Sequence, residues 1–152
     1  MTDYSLLLAQ ARSLTEDIPY LSANLANLSA LLYESLGDVN WVGFYEVMGD
    51  KLVLGPFQGR PACVILPIGK GVCAACAREK RSVNVPDVHS FSGHIACDSA
   101  SASELVLPVF ASDGSVRYVL DIDSPVRDRF TAEDEEGLKR IANFISSAPW
   151  LA

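Results

Sequence analysis

Four cysteines lie in the middle of the chain, and their residue type carries the most reactive chemistry in the sequence. They are Cys63, Cys73, Cys76 and Cys97. The sequence starts with no basic, apolar leader, so we expect a cytoplasmic protein whose cysteines are reduced thiols. Four cysteines gathered in one stretch of an intracellular domain favour metal binding or thiol chemistry over simple packing.

Two of these cysteines and the two histidines also fit a zinc-finger pattern. Cys73, Cys76, His89 and His94 read as C-x2-C-x12-H-x4-H. A Cys2His2 finger needs both histidines on one helix, whereas the Gly and Ser residues between them favour a loop. We therefore expect no metal site and interpret the histidines as loop hydrogen-bonding residues. A zinc-stabilised interaction domain and a thioredoxin-like redox pair at Cys73 and Cys76 are the alternatives.

Three carboxylates lie in apolar segments that are predicted to be strands. Asp121 and Asp123 alternate with apolar residues, and residues i and i+2 of a strand face the same side. Glu104 begins another predicted strand. Crowded carboxylates raise one another's pKa, so one of them can be protonated near neutral pH and act as a general acid. Alternatively, Asp121 and Asp123 could form a turn at the strand end.

Composition excludes several classes of protein. The chain has 152 residues, of which 49% are hydrophobic and 20% charged, as expected for one globular domain. Its net charge is −7 and its basic residues are not clustered, which argues against binding to nucleic acid or to an acidic membrane. The longest apolar runs are far below the roughly 18 residues that a membrane-spanning helix needs.

The hydrophobic pattern predicts helices at both ends of the chain and strands between them. Leucines at spacings of four and three predict a helix from 21 to 36, with Gly37 as its C-cap. Hairpin signals such as Asp113-Gly114 indicate antiparallel pairing, and the segregation of helices and strands indicates an α+β fold. The predicted helices are 6–11, 21–36, 71–80 and one that starts at 131, and the predicted strands are 40–47, 51–54, 63–66, 82–85, 105–110 and 116–122.

Six separated segments together resemble the free methionine-(R)-sulfoxide reductases, a family of single GAF-domain enzymes. The resemblance covers about residues 20 to 145, nearly the whole chain. No single segment is specific, but their order along the chain is. The segments are NWVGFY at 40–45, LVLGPFQGRPAC at 52–63, GKGVC at 69–73, DVHSFSGHIACDSASASE at 87–104, VLDIDS at 119–124 and RFTAED at 129–134.

The resemblance implies the fold and the reaction. The fold would be a single GAF domain over 1–152, with a six-stranded antiparallel sheet and flanking helices. The reaction would be thiol-dependent reduction of free methionine (R)-sulfoxide, through a cysteine sulfenic acid and an intramolecular disulfide. Thioredoxin would be the reductant, no cofactor would be bound, and the enzyme would be a homodimer.

The resemblance also implies roles for individual residues. Cys97 matches the nucleophile of the family, and it lies in a segment whose composition favours an exposed loop. Cys63 is the first choice for the thiol that resolves the sulfenic acid, and Cys73 is the second choice or a relay to thioredoxin. The residues that match the substrate site are Trp41, Glu104, Asp121 and Asp123.

Two segments depart from the family pattern. The family usually has Gly-Thr-Ala after the cysteine that matches Cys73, whereas this chain has Ala74-Ala75-Cys76. Cys76 is therefore an addition, and loss of the glycine is expected to stiffen a turn there. The other departure is Tyr118, which replaces a glycine. The alternative function is a non-catalytic GAF domain that senses a small molecule or an oxidant. Sensor GAF domains usually stand beside an output domain, which we do not expect in a chain of 152 residues.

Overall fold

A computed structural model, which describes residues 1–94 and 100–152, has an antiparallel sheet with helices on both faces. This confirms the predicted α+β fold with six strands. The helices are α1 (Tyr4–Thr15), α2 (Leu21–Ser35), α3 (Val72–Glu79) and α4 (Ala132–Ser147). The strands are β1 (Trp41–Met48), β2 (Lys51–Gly59), β3 (Ile65–Pro67), β4 (Val83–Val85), β5 (Ser103–Phe110) and β6 (Val116–Ser124).

The sheet has the order β3-β2-β1-β6-β5-β4, and each neighbouring pair is antiparallel. β1 and β6 lie at its centre, so their side chains can be buried on both faces. Tight turns that need a left-handed residue join β1 to β2 and β5 to β6, with Gly49 at φ 66° and Gly114 at φ 86°. The hairpin predicted at Asp113-Gly114 is therefore confirmed.

The main core lies between the sheet and the helices α1, α2 and α4. Alternate residues of the central strands point into it and are fully buried. The leucine stripe of α2 covers them, as its spacing predicts. The strand residues are Val42, Phe44, Leu105, Leu107, Leu120 and Ile122. Within the described residues, no helix has the length and apolar character that crossing a bilayer requires.

The opposite face of the sheet carries a smaller core under α3. Valines, alanines and two aromatic residues of β1, Trp41 and Tyr45, form most of this second cluster. α3 is rich in alanine, so it can lie close to β5 and β6. Because this helix is short, it covers only part of the face and leaves the rest for a pocket.

Several predicted boundaries were wrong. α2 ends in an extended Leu36 whose N–H donates to the Leu32 carbonyl, so Gly37 is not its C-cap. The left-handed residue there is Asp38, at φ 57°. β2 continues to Gly59, beyond the predicted end at 54, because its second half pairs with the start of β1. This second half is at most half-buried and lacks a strong apolar pattern, so the sequence does not mark it as a strand.

A capping box fixes the start of α4 and ties it to α1. The Thr131 hydroxyl accepts a hydrogen bond from the Asp134 N–H, while the Asp134 carboxylate accepts one from the Thr131 N–H. The same carboxylate accepts hydrogen bonds from the Tyr4 hydroxyl at 2.6 Å and from the Arg129 guanidinium at 2.9 Å. One buried carboxylate therefore links the two terminal helices.

Replacing Asp134→Asn should destabilise the protein by about 1.5–3 kcal/mol, the range for hydrogen bonds to a charged group. Burial raises the pKa of Asp134, but its hydrogen bonds from Tyr4 and Thr131 lower it below the ordinary value overall. This stabilisation is present above the unfolded-state pKa and is lost as the pH falls through the folded-state pKa. Urea unfolding should show a large difference at pH 7 that shrinks below about pH 4. A difference in stability that is equal at pH 7 and below pH 4 would contradict this role of the Asp134 carboxylate. Glu136→Gln, exposed on the same helix, is the control.

A glycine on β1 lets two aromatic rings stack over the sheet. Trp41 and Phe57 stack with centroids 5.2 Å apart, and a Cβ at Gly43 would lie 2.6 Å from the Trp41 ring. Gly43→Ala should cost about 1–3 kcal/mol in the free energy of unfolding and change the near-ultraviolet circular dichroism. Gly37→Ala, with open space around it, should leave both unchanged. A Gly43→Ala protein as stable as the parent would show that the stack is loosely packed.

Candidate active site

Strand register places one aromatic and two acidic residues in one row across the sheet. Trp41 of β1 is paired with Asp123 of β6, which is paired with Glu104 of β5. Directly paired residues point to the same face, and here it is the face under α3. Asp121 lies two residues before Asp123 in β6, where it is paired with Gly43 of β1. The prediction that Asp121 and Asp123 point together is confirmed, and both lie inside β6 rather than in a turn.

α3 brings a thiol onto this row. Cys73 lies in the first turn of α3, and its Sγ donates a long hydrogen bond of 4.0 Å to Glu104 Oε2. Cys73, Glu104 and Asp121 are only 5–7% exposed, while Asp123 is half-buried. They surround a small pocket lined by Trp41, Tyr45, Arg60, Pro61, Ala62, Leu66, Lys70, Gly71, Val72, Cys73, Ala74, His94, Ser101, Glu104, Asp121 and Asp123.

The acidic groups disfavour one another's charged forms. Burial is the main reason that the pKa of Glu104 is raised, and the charges of Asp121 and Asp123 raise it further. Burial also raises the pKa of Asp121, although hydrogen bonds from Glu104 and Asp123 partly oppose this. The pocket can therefore hold a proton on a carboxyl group above the usual pH range for acids.

The thiol of Cys73 is held in its neutral form. Burial raises its pKa well above the ordinary value, and Asp121 and Glu104 add to the effect. A position in the first turn of a helix usually favours a thiolate, but here burial and the neighbouring carboxylates outweigh it. Cys73 is therefore a weak nucleophile until a cation or a conformational change compensates these charges.

Cys63 lies beside the pocket in the loop before β3, and it is disulfide-bonded in this structure. Two aromatic residues of β1 hold the loop. The Tyr45 hydroxyl donates to the Cys63 carbonyl at 2.8 Å, and the Trp41 indole N–H donates to the Arg60 carbonyl at 3.1 Å. Cys73 and Cys76 are free thiols. Cys97 lies outside the described residues.

The zinc-finger pattern is not assembled in the structure. Cys76 is 0% exposed and packs in the small core under α3, while His89 is exposed. Among the described residues, the one group that could hold a metal ion is Cys73, Glu104 and Asp121. Cys76 therefore occupies a packing position one helical turn from Cys73.

Several pocket residues were missed by sequence reasoning. Arg60 and Lys70 are exposed cations in loops, where no periodic pattern marks them. Tyr45 lies four residues after Trp41 in β1 and therefore on the same face, but the strand pattern alone does not mark it as a pocket residue. His94 was expected to make loop hydrogen bonds, yet it lines the pocket. Burial lowers its pKa, so its ring is neutral at pH 7.

The two departures from the family pattern lie on opposite faces of the sheet, and Ala74, beside Cys73, lines the pocket. Ala74 is inside α3, where alanine is favourable, so the stiffened turn that was expected there is wrong. Tyr118 points to the opposite face of the sheet, where it packs edge-on against Phe44 with centroids 6.4 Å apart.

Comparison with known proteins adds independent information. A model of the GAF domain family matches residues 25–148. The free methionine-R-sulfoxide reductase of Escherichia coli is 56% identical over 119 residues, which is 78% of this chain and 72% of that protein. The reduced form of fRMsr of Staphylococcus aureus superposes with a TM-score of 0.94 at 51% identity, over 100% of this chain and 97% of the other.

A second solved structure is similar over nearly the same span. It is a free methionine-R-sulfoxide reductase from Neisseria meningitidis in complex with its substrate, with a TM-score of 0.90, 43% identity, and coverage of 94% of this chain and 86% of the other. The family match spans most of the chain, and the sheet has the order and register described above. The chain therefore belongs to the GAF-domain family of free methionine-(R)-sulfoxide reductases.

Proposed function

We propose that this protein reduces free methionine (R)-sulfoxide to methionine, using cysteine thiols as the reductant. The observation that carries the proposal is the pocket in which Trp41, Glu104, Asp121 and Asp123 converge. The relatives named as free methionine-R-sulfoxide reductases support the reaction and the epimer.

The charges of the pocket suit a free amino acid. Three carboxylates line it, and they favour the ammonium group, which a peptide-linked methionine lacks. Arg60 and Lys70 on the same lining can attract the α-carboxylate. The Trp41 ring offers an apolar surface to the S-methyl group. The same features would discriminate against methionine sulfoxide within a protein chain.

The reaction balances with two protein thiols. The Cys97 thiolate attacks the sulfoxide sulfur, and a protonated carboxyl of the pocket donates a proton to the sulfoxide oxygen. The oxygen ends on Cys97 as a sulfenic acid, so methionine is reduced and the cysteine is oxidised. A second thiol then attacks the sulfenic sulfur, water leaves, and a disulfide forms. The dithiol of thioredoxin restores both thiols by exchange.

Cys63 is the better choice for the second thiol. It is disulfide-bonded in this structure, whereas Cys73 and Cys76 are free. Burial, with the neighbouring carboxylates, also raises the pKa of the Cys73 thiol, which disfavours the attacking thiolate. Cys73 is then left as a relay to thioredoxin. We also expect the enzyme to work in the cytoplasm as a homodimer.

The substrate proposal predicts turnover on one form of methionine sulfoxide. With thioredoxin, thioredoxin reductase and NADPH, the protein should consume NADPH with the free (R) epimer. It should not do so with the (S) epimer or with a peptide-bound sulfoxide. Cys97→Ser should abolish turnover. Folded protein that turns over none of the three substrates would contradict the proposal and favour the sensing module.

Carboxylate recognition predicts a graded loss of activity. Glu104→Gln and Asp123→Asn should each lower kcat/KM by about 10- to 100-fold, because each removes a charged hydrogen bond of about 1.5–3 kcal/mol. Glu136→Gln removes an exposed carboxylate far from the pocket and should leave kcat/KM unchanged. Equal activity of all three variants would exclude the carboxylates from substrate binding.

The order of the thiols predicts different defects for the remaining cysteines. Cys63→Ser should reduce one equivalent of sulfoxide and then stop as a sulfenic acid, which mass spectrometry detects after trapping with dimedone. Cys76→Ala should turn over like the parent, because Cys76 is a packing residue. If Cys73→Ser accumulated the sulfenic acid and Cys63→Ser did not, the order would be reversed.

A further inference from the structure

Three possible metal-ligand atoms, one sulfur and two oxygens, converge in the pocket. Cys73 offers a sulfur, and Glu104 and Asp121 each offer a carboxylate oxygen, all within 4.8 Å of one another. The Cys73 Sγ to Glu104 Oε2 distance is already 4.0 Å. Donors on one tetrahedral metal ion lie about 3.5 Å apart when the bonds are about 2.0–2.3 Å. Small side-chain rotations are therefore sufficient to bring the three atoms onto one ion.

A second observation, an unpartnered buried oxygen, points to a ligand at this cluster. Asp121 is 6% exposed. Its hydrogen bonds from Glu104 and Asp123 leave its Oδ1 without a partner among the described residues. A buried carboxylate oxygen without a partner costs free energy, and a bound water or ion is one of the arrangements that remove this cost in native proteins. Asp121 lines the pocket, so rotation of its carboxylate would turn this oxygen toward a bound cation.

We propose that the pocket binds a thiophilic divalent cation of the Zn²⁺ type through Cys73, Glu104 and Asp121. One thiolate and two carboxylates are ligand types that Zn²⁺ accepts, and three protein ligands leave its fourth position open. Ca²⁺ and Mg²⁺ are disfavoured, because they require six or more oxygen ligands in total and gain little from sulfur.

Binding exchanges protons for the cation. The Cys73 thiol loses its proton to solvent as the metal–sulfur bond forms, and no oxidant or reductant is needed. The cation also offsets the repulsion among the buried acidic groups. A consequence, which rests on the proposed function, is reversible inhibition, since the metal occupies the carboxylates that would bind the substrate's ammonium group.

Cd²⁺ is the direct probe, because its bond to a thiolate gives an ultraviolet charge-transfer band that Zn²⁺ lacks. The test uses the full chain purified without reductant, in which Cys63 is held in its disulfide. Titration should give that band with a single Cd²⁺ per chain. Cys73→Ser should remove the band, and Asp121→Asn should weaken binding by about 100-fold, since even indirect contacts to a metal are worth about 10- to 100-fold. Cys76→Ala should bind like the parent.

Three outcomes would overturn the proposal. They are the absence of the band in folded parent protein, a band that Cys76→Ala removes, and a Cd²⁺ affinity that Asp121→Asn leaves unchanged. Circular dichroism checks that each variant is folded, and Asp121→Asn keeps the test valid if Cys73→Ser fails to fold. No substrate is present, so failure to bind Cd²⁺ leaves the reductase proposal intact. Loss of the reductase proposal likewise leaves this one intact.

Discussion

The burial of acidic side chains on one face of the sheet is the constraint on which the site depends. β6 alternates Leu120 and Ile122, which pack into the main core, with Asp121 and Asp123, which point to the other face. Burying a charged carboxylate without compensation costs several kcal/mol. The protein lessens this cost by sharing protons and hydrogen bonds among these groups, which leaves a pocket that favours a positive charge.

The two faces of the sheet differ in composition: one carries the main apolar core, and the other carries the polar pocket. The face covered by α1, α2 and α4 holds a continuous apolar core, and the hydrogen bonds of Asp134 join its terminal helices. This core fixes the central strands and therefore the register that aligns Trp41, Asp123 and Glu104. Among the described residues, the other face is covered by short α3 and by loops, which leaves room there for the pocket of polar residues. Stability and chemistry are thus separated across one sheet.

The sequence allowed prediction of what depends on periodicity, such as the paired direction of Asp121 and Asp123 and the leucine stripe of α2. It did not reveal what depends on contacts between distant segments. The second half of β2 is a strand because β1 pairs with it, and His94 and Arg60 reach the pocket because loops bring them there. The raised pKa of Cys73 follows from burial against carboxylates thirty or more residues away, which no local pattern marks.

The most direct test of this electrostatic account is a carboxyl ¹³C NMR titration of Glu104, assigned with Glu104→Gln. In the free protein, the pKa of Glu104 should lie above its ordinary value of about 4.3. Saturation with free methionine, whose ammonium group would offset the buried charges, should lower that pKa, whereas N-acetylmethionine should not. A Glu104 that titrates near 4.3 with and without methionine would contradict the account.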